Sequence, residues 1–229
     1  ESAMTDSEVS AAVEYGRIVG RNMASLTDCL VIGESIPAGT TTALAVLRAF
    51  DFDAKVSSSI PTNPTKLKNE IVDSALKRID SDHPYSILAK VGDPMIAFVA
   101  GMLSSASSVS KVMLAGGTQM TAVLAFASKI GFNEENTAIG TTSYITNDQN
   151  ANFTNLVKQI ADIPAISVNP GLNNSQYPGL KAFSEGFAKE GVGAGGTIIS
   201  SMLKTGNDSS KFLNLAEQEY ARLSTLSNS

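Results

Sequence analysis

The sequence predicts an α/β fold: a doubly wound, largely parallel sheet with a helical appendage contributed by both chain ends. Three observations point there. Short β-branched runs alternate with stretches at helical spacing. Several of those runs finish in Gly, Ser or Thr, which gathers the loops that follow them at one edge of the sheet. The first 27 residues and the last quarter of the chain carry helical patterns. The 229 residues suit one Rossmann-like α/β domain, with 28–170 as the sheet core and 1–27 and 177–229 as helical packing elements.

Each element has a local reason. Thr5 and Glu8 stand at capping-box spacing and open a helix that runs to about Leu26. Gly16 and Gly20, four apart on its face, permit close packing against a neighbour. The run 28–33 is the first strand and holds the chain's one cysteine, Cys29, expected as a buried thiol. A helix follows over 40–50, then a short second strand over 54–58. Residues 57–64 carry too many breakers for regular structure. A helix over 65–79 repeats Leu67, Ile71, Ala75, Leu76 and Ile79 at helical spacing. Its first turn holds Lys66 and Lys68, the wrong charge for that end of the helix dipole, which marks either a task for a ligand or two solvated lysines.

Residues 81–84 break the pattern, and His83, the single histidine, reads as a turn residue because no cluster of metal-ligating side chains surrounds it. Asp93 as N-cap with Pro94 behind it opens a helix to about Ser107 that is apolar on most faces, its methionines serving as core filling. The run 111–118 repeats the first design, strand then glycines then a hydroxyl, and leads into a helix over 118–130. Strands over 137–142 and 165–168 flank a helix over 152–161. Helical patterns return over 177–189 and 197–204, interrupted by the glycine-rich run 190–196, and Asp208 caps a last helix to about Leu226. Glycines between two helical stretches are costly unless the backbone must approach something closely.

Bulk properties narrow the function. A net charge of −5 argues against non-specific nucleic-acid binding and against an anionic membrane surface. No apolar run approaches the roughly 18 residues needed to span a bilayer, and no secretory leader is recognisable, so a soluble, cytoplasmic protein is expected. One cysteine allows no internal disulfide. The chain starts at Glu1, and the expectation is that an N-terminal segment is missing.

The stretch with chemical promise is Val31-Ile32-Gly33-Glu34 through Pro37-Ala38-Gly39-Thr40-Thr41-Thr42. A strand ends, a glycine-bearing loop follows, and hydroxyls open a helix whose first N–H groups are unpaired and partly positive. That is a cradle for a phosphate or carboxylate, or else a tight turn before a capped helix. It is not a Walker loop, because no lysine follows Gly39.

In order along the chain, Gly33-Glu34 through Thr41-Thr42, Lys68 with its helix, Val91-Gly92 before an alanine-rich helix, Val112-Met113-Leu114-Ala115-Gly116-Gly117, and Glu190-Gly191-Val192-Gly193-Ala194 resemble the nicotinate-nucleotide:dimethylbenzimidazole phosphoribosyltransferases, nearest to their archaeal branch. The resemblance implies transfer of the 5-phosphoribosyl group of nicotinate mononucleotide to a benzimidazole-type base, giving α-ribazole phosphate and nicotinate in cobalamin assembly. It implies Glu190 as the general base, with Glu34 as a second acid. Gly39, Thr40, Thr41 and Lys68 would hold the phosphate; Gly92, Gly116, Gly117, Thr142, Gly191 and Gly193 would line the rest of the site. No metal or cofactor is implied, and the family's habit is the homodimer. Against the bacterial pattern, residues 37–40 replace a glycine–asparagine pair, Met95 replaces an acid, Ala115 replaces an aspartate, and 142–149 lacks a histidine. These departures bear on how sugar and base are gripped. They also support an alternative, a non-catalytic nucleotide-binding or regulatory homologue.

Overall fold

A computed structural model describes residues 2–36, 38–187 and 193–226. Four strands form the sheet: β1 (Cys29–Gly33), β2 (Lys111–Ala115), β3 (Thr137–Thr142) and β4 (Ala165–Val168). All three pairings are parallel, and the spatial order β1-β2-β3-β4 follows chain order. Val31 pairs with Met113, Leu114 with Ile139, and Thr142 with Val168. Every strand therefore points the same way, and every loop leaving a strand emerges at one edge.

Helices cover both faces of the sheet. The larger core gathers α1 (Asp6–Ala24), α2 (Gly39–Ala49), α3 (Thr65–Leu76), α4 (Pro84–Val91), α5 (Pro94–Ala106), α6 (Thr118–Ile130) and α8 (Phe153–Ile160). α6 is its hub: it packs on α2, α4, α5 and α8, and Met120, Leu124 and Phe126 are fully buried. The opposite face is covered by α10 (Ala194–Thr205), which touches all four strands. Side chains alternate across the pleat as a strand requires. Leu30, Ile32, Val112 and Leu114 enter the larger core, while Val31 and Met113 meet Ile198 and Ile199 of α10. Short helices α7 (Ser143–Thr146) and α9 (Pro178–Lys181) and the last helix α11 (Ser209–Leu226) complete the order. Among the described residues, no helix is long and apolar enough to cross a membrane.

The start of the chain forms as its sequence requires. The Thr5 hydroxyl accepts the Glu8 N–H at 3.2 Å, and the Glu8 carboxylate takes the Thr5 N–H at 2.8 Å. α1 then lies against α5 with almost no side chain between them. A Cβ on Gly16 would strike the Phe98 carbonyl, and one on Gly101 would strike that of Val13. Asp93 caps α5 by accepting the Ile96 N–H at 2.9 Å, and Asp208 accepts the Lys211 N–H at 2.9 Å at the head of α11.

Several expectations need correction. Residues 54–58 are extended but form no strand. Their polar backbone is satisfied by side chains and single bonds instead: Asn152 exchanges bonds with Lys55 at 2.8 and 3.2 Å, and the Ser57 N–H reaches Thr118 Oγ1 at 3.3 Å. Cys29 is exposed, because it is the first residue of an edge strand whose inward positions are Leu30 and Ile32. The helix expected over 177–189 is limited to α9, and the chain turns through 182–186; residues 188–189 lie outside the described residues. α4 has no counterpart in the sequence reading, although His83 does sit at a boundary, as its N-cap residue.

Candidate active site

The parallel sheet delivers the ends of β1, β2 and β3 to one rim. Glu34 is the first residue past β1, and both of its oxygens are engaged. Oε2 accepts the Ile36 N–H at 2.8 Å and Oε1 accepts Gln119 Nε2 at 2.6 Å. Burial pushes the Glu34 carboxyl above its ordinary pKa; the Ile36 N–H opposes that, the negative charge of Asp93 adds to it, and the Gln119 amide opposes it. Asp93 is itself pushed up by burial against the pull of the Ile96 and Met95 N–H groups. Two partly buried carboxyls, from the β1 end and the α5 start, are thus each closer to protonation than in water, and the Asp93 charge acts on Glu34.

Gly39 begins α2 beside this pair. A Cβ there would land on Gln119 Oε1, so the glycine leaves the space in which the Gln119 amide reaches Glu34. Ala38, the residue before, is held at a left-handed φ of 59°, a conformation that costs a non-glycine residue energy and gathers at functional turns. Thr40 and Thr41 stand half-buried in the first turn of α2, and the Thr41 N–H reaches the Ala38 carbonyl at 3.4 Å. With no acidic side chain in that turn, the helix end keeps its partial positive charge.

The β2 end supplies Gly116 and Gly117. The Gly116 N–H continues the ladder to the Gly140 carbonyl at 3.0 Å, and Gly117 is the N-cap residue of α6. Thr142 closes β3, fully buried, and heads α7. Gly92 is buried immediately before Asp93. Gly193 has a φ of +70° and heads α10; a Cβ on it would strike the Ala115 carbonyl at the end of β2. Glu190 and Gly191 lie outside the described residues.

Lys68 is buried, and its ammonium donates to the Ser57 carbonyl at 2.8 Å. Ser57 in turn meets Thr118 Oγ1 with both its N–H and its hydroxyl at 3.3 Å, which ties Lys68 to the start of α6. Lys68 also lines a cavity of about 310 Å³ with Arg48, Lys55, Asn69 and Gln149, so the charged groups of its wall are basic. Lys66, its neighbour, is solvated and lies within 4.0 Å of Glu70. The two lysines of that turn therefore have different fates. Among the described residues, no group of three or more His, Cys, Asp or Glu side chains stands where it could hold a metal ion.

Two members of this rim escape the sequence reading. Asp93 is legible only as a cap, though its place directly after Gly92 is available as a signal. Gln119 looks like helix interior, and only the preceding Gly116-Gly117-Thr118 hints that its side chain starts at the sheet edge.

Comparison with known proteins shows the family and the fold. The phosphoribosyltransferase family DBI_PRT matches residues 1–144. The chain belongs to this family. Among its relatives is a UPF0284 protein of Archaeoglobus fulgidus, 44% identical over 221 residues, which covers 96% of this chain and 63% of the relative. Another, a UPF0284 protein of Sulfurisphaera tokodaii, is 43% identical over 213 residues, covering 92% of this chain and 60% of that one. The chain thus spans less than two thirds of the length of these relatives. Two solved structures from Thermus thermophilus share the fold. One is a nicotinate-nucleotide-dimethylbenzimidazole phosphoribosyltransferase, with a TM-score of 0.57 and 19% identity over 73% of this chain and 50% of that one. The other, described as CobT, gives a TM-score of 0.56 and 19% identity over 72% and 51%.

Proposed function

We propose that this family member moves the 5-phosphoribosyl group of nicotinate mononucleotide to a benzimidazole-type azole, releasing nicotinate. The observation that carries the reading is the meeting at one rim of an anion-accepting helix start at Gly39 and the carboxyl of Glu34, joined through Gln119. The phosphate would rest on Gly39, Thr40 and Thr41 at the positive end of α2, with Lys68 supplying the countercharge from behind. Gly92, Gly116, Gly117, Thr142, Gly191 and Gly193 would let flat rings and sugar lie against backbone.

The chemistry suits these groups. The bond from the anomeric carbon to the pyridinium nitrogen breaks, and its electron pair returns to nicotinate as a neutral ring nitrogen. One azole nitrogen forms the new bond with its lone pair while the ring's other nitrogen gives its proton to Glu190, a general-base contribution typically of about 10²–10⁴-fold. Cationic character at the anomeric carbon is stabilised by a carboxylate nearby, the part assigned to Glu34. Positioning of the two reactants supplies much of the rest. A homodimer would bury apolar side chains now exposed, such as Tyr15 and Ile18 on one face of α1.

The test is nicotinate release from nicotinate mononucleotide, followed with and without 5,6-dimethylbenzimidazole. Release only with the base present, lost in Glu190→Gln while calorimetric nucleotide binding persists, is the expected result. Full activity in Glu190→Gln would remove that residue from the mechanism. Tight nucleotide binding with no turnover over a panel of azoles would replace the reading with that of a non-catalytic nucleotide-binding homologue.

A further inference from the structure

We infer that Gln119 is the positioning residue for Glu34, and that Gln119, Glu34 and Gly39 form one interlocked unit through which the acid and the anion cradle are held at a fixed separation. The inference rests on the functional reading above for its purpose, but its geometry stands alone. Gln119 is the second residue of α6, anchored by neighbours on either side that are buried: Thr118, which holds Ser57, and Met120, which is fully enclosed. Its side chain leaves the helix toward the β1 end and crosses between two elements that share no direct bond of their own among those described. Nε2 donates to Glu34 Oε1 at 2.6 Å.

The orientation of the amide follows from chemistry. An ionised carboxylate only accepts, so the amide must turn its N–H₂ toward Glu34 and its oxygen the other way. That oxygen is buried and finds no hydrogen-bond partner. It lies where a side chain on Gly39 would begin. Buried acceptors are rarely left unpaired, and the exception asks for an explanation. Here the explanation is that one end of a single amide is committed to Glu34 while the other fills the space above the first residue of α2. Gly39 therefore matters for a reason beyond anion access: a Cβ there forces the Gln119 amide out of the place from which it holds the carboxylate.

The charged group that acts on Glu34 among the described residues is Asp93, at the start of α5. Gln119 and Asp93 act on Glu34 in opposite senses, the amide favouring the ionised form and the neighbouring charge disfavouring it. Protonation of Glu34 removes the need for a donor and lets the amide turn over, so that its oxygen accepts the new O–H. The amide thus favours an ionised Glu34 against the burial that disfavours it, and couples a change in its protonation to the α2 start.

The experiment uses ¹³C-carboxyl-labelled glutamate in the whole chain, with the Glu34 resonance assigned by its disappearance in Glu34→Gln. Its titration is followed in the unaltered protein, in Gln119→Leu and in Gly39→Ala. The expected result is an upward displacement of the Glu34 midpoint in both variants, since both remove the amide donor from the carboxylate, one by deletion and one by eviction. Gln119→Asn, too short to reach, should behave like Gln119→Leu. An unmoved midpoint in Gln119→Leu, with circular dichroism showing a folded protein, would overturn the inference. Should Gln119→Leu unfold, Gly39→Ala decides alone, because its obstruction is only the far end of a flexible side chain. In turnover, Gln119→Leu and Gln119→Asn, which leave the cradle residues in place, should lower kcat with little change in nucleotide KM. If no variant or parent turns over any azole, the functional reading fails, while the titration still judges the interlock.

Discussion

Gly16→Ala sets two known effects against each other at the α1–α5 contact. In a free helix the change is favourable by about 0.8–1 kcal/mol, because alanine restricts the unfolded chain and suits the helix. In this protein the new methyl would meet backbone: the Phe98 carbonyl oxygen first, then the Phe98 carbonyl carbon and the Met102 nitrogen, both at 3.0 Å. None of these is the end of a side chain that can swing aside. α1 must move away from α5, and Val9 and Val13, both fully buried, lose part of their packing. Overpacking of this kind costs about 1–3 kcal/mol, and loosening two valines adds about 1 kcal/mol more. The loss outweighs the propensity gain, leaving a net destabilisation of about 1–3 kcal/mol. For a chain of this length that lowers Tm by roughly 2–4 °C per kcal/mol. Thermal unfolding by circular dichroism is the assay, with exposed Ser10→Ala in the same helix as the control for propensity alone. A Gly16→Ala protein that melts at or above the parent temperature would show that α1 is not seated on α5 as described.

The remaining predictions are simpler. Thr5→Ala removes the acceptor of the capping box and should cost about 1 kcal/mol, visible as a lower urea midpoint with an unchanged slope. Asp93→Asn keeps an equally good cap on α5 but deletes the charge facing Glu34, so the Glu34 midpoint should fall; a rise would mean that Asp93 does not act on it by charge. The same variant makes a pH prediction: the Asp93 carboxyl is raised in the folded protein, so its contribution to stability is present at low pH and lost as pH rises through the folded value. Asp93→Asn should therefore gain on the parent as pH increases from acid to neutral. Cys29 is exposed with its thiol pushed up by partial desolvation, so it should react with a disulfide reagent without denaturant, and faster above pH 9 than at neutrality. Reaction only after unfolding would contradict its place on the outer edge of β1.

Local chemistry makes much of this fold legible. Thr5 with Glu8, Asp93 with Pro94, and Asp208 each start a helix through bonds between near neighbours in sequence, so their spacing suffices. The strands at 111–115, 137–142 and 165–168 can be read because apolar runs between turn residues have few other uses. Residues 54–58 defeat the same rule. Their pattern suits a strand, but no other strand comes alongside, and Asn152 and Thr118 satisfy the backbone from far away in sequence. Cys29 is misplaced for a related reason: hydrophobic character shows that a strand is buried somewhere, not which of its residues begins outside. At the rim, the glycines and Glu34 can be named from their motif. The Gln119 grip on Glu34 and the opposing charge of Asp93 cannot, because they come from α6 and the start of α5, 85 and 59 positions further along the chain, on side chains whose direction only the packing of those helices decides.

The seam where α10 lies on the sheet carries a lesson about timing. Gly193 and Gly196 meet Ala115 with no room between, and Gly196 also crowds Gly140. Those strand residues leave the ribosome dozens of residues before their cover does. Until it arrives, Val31, Met113 and Val168 form a bare oily panel in water. Such a nascent intermediate invites capture by neighbours, so a delicate interval runs from the emergence of the strands until α10, the lid of the second core, arrives.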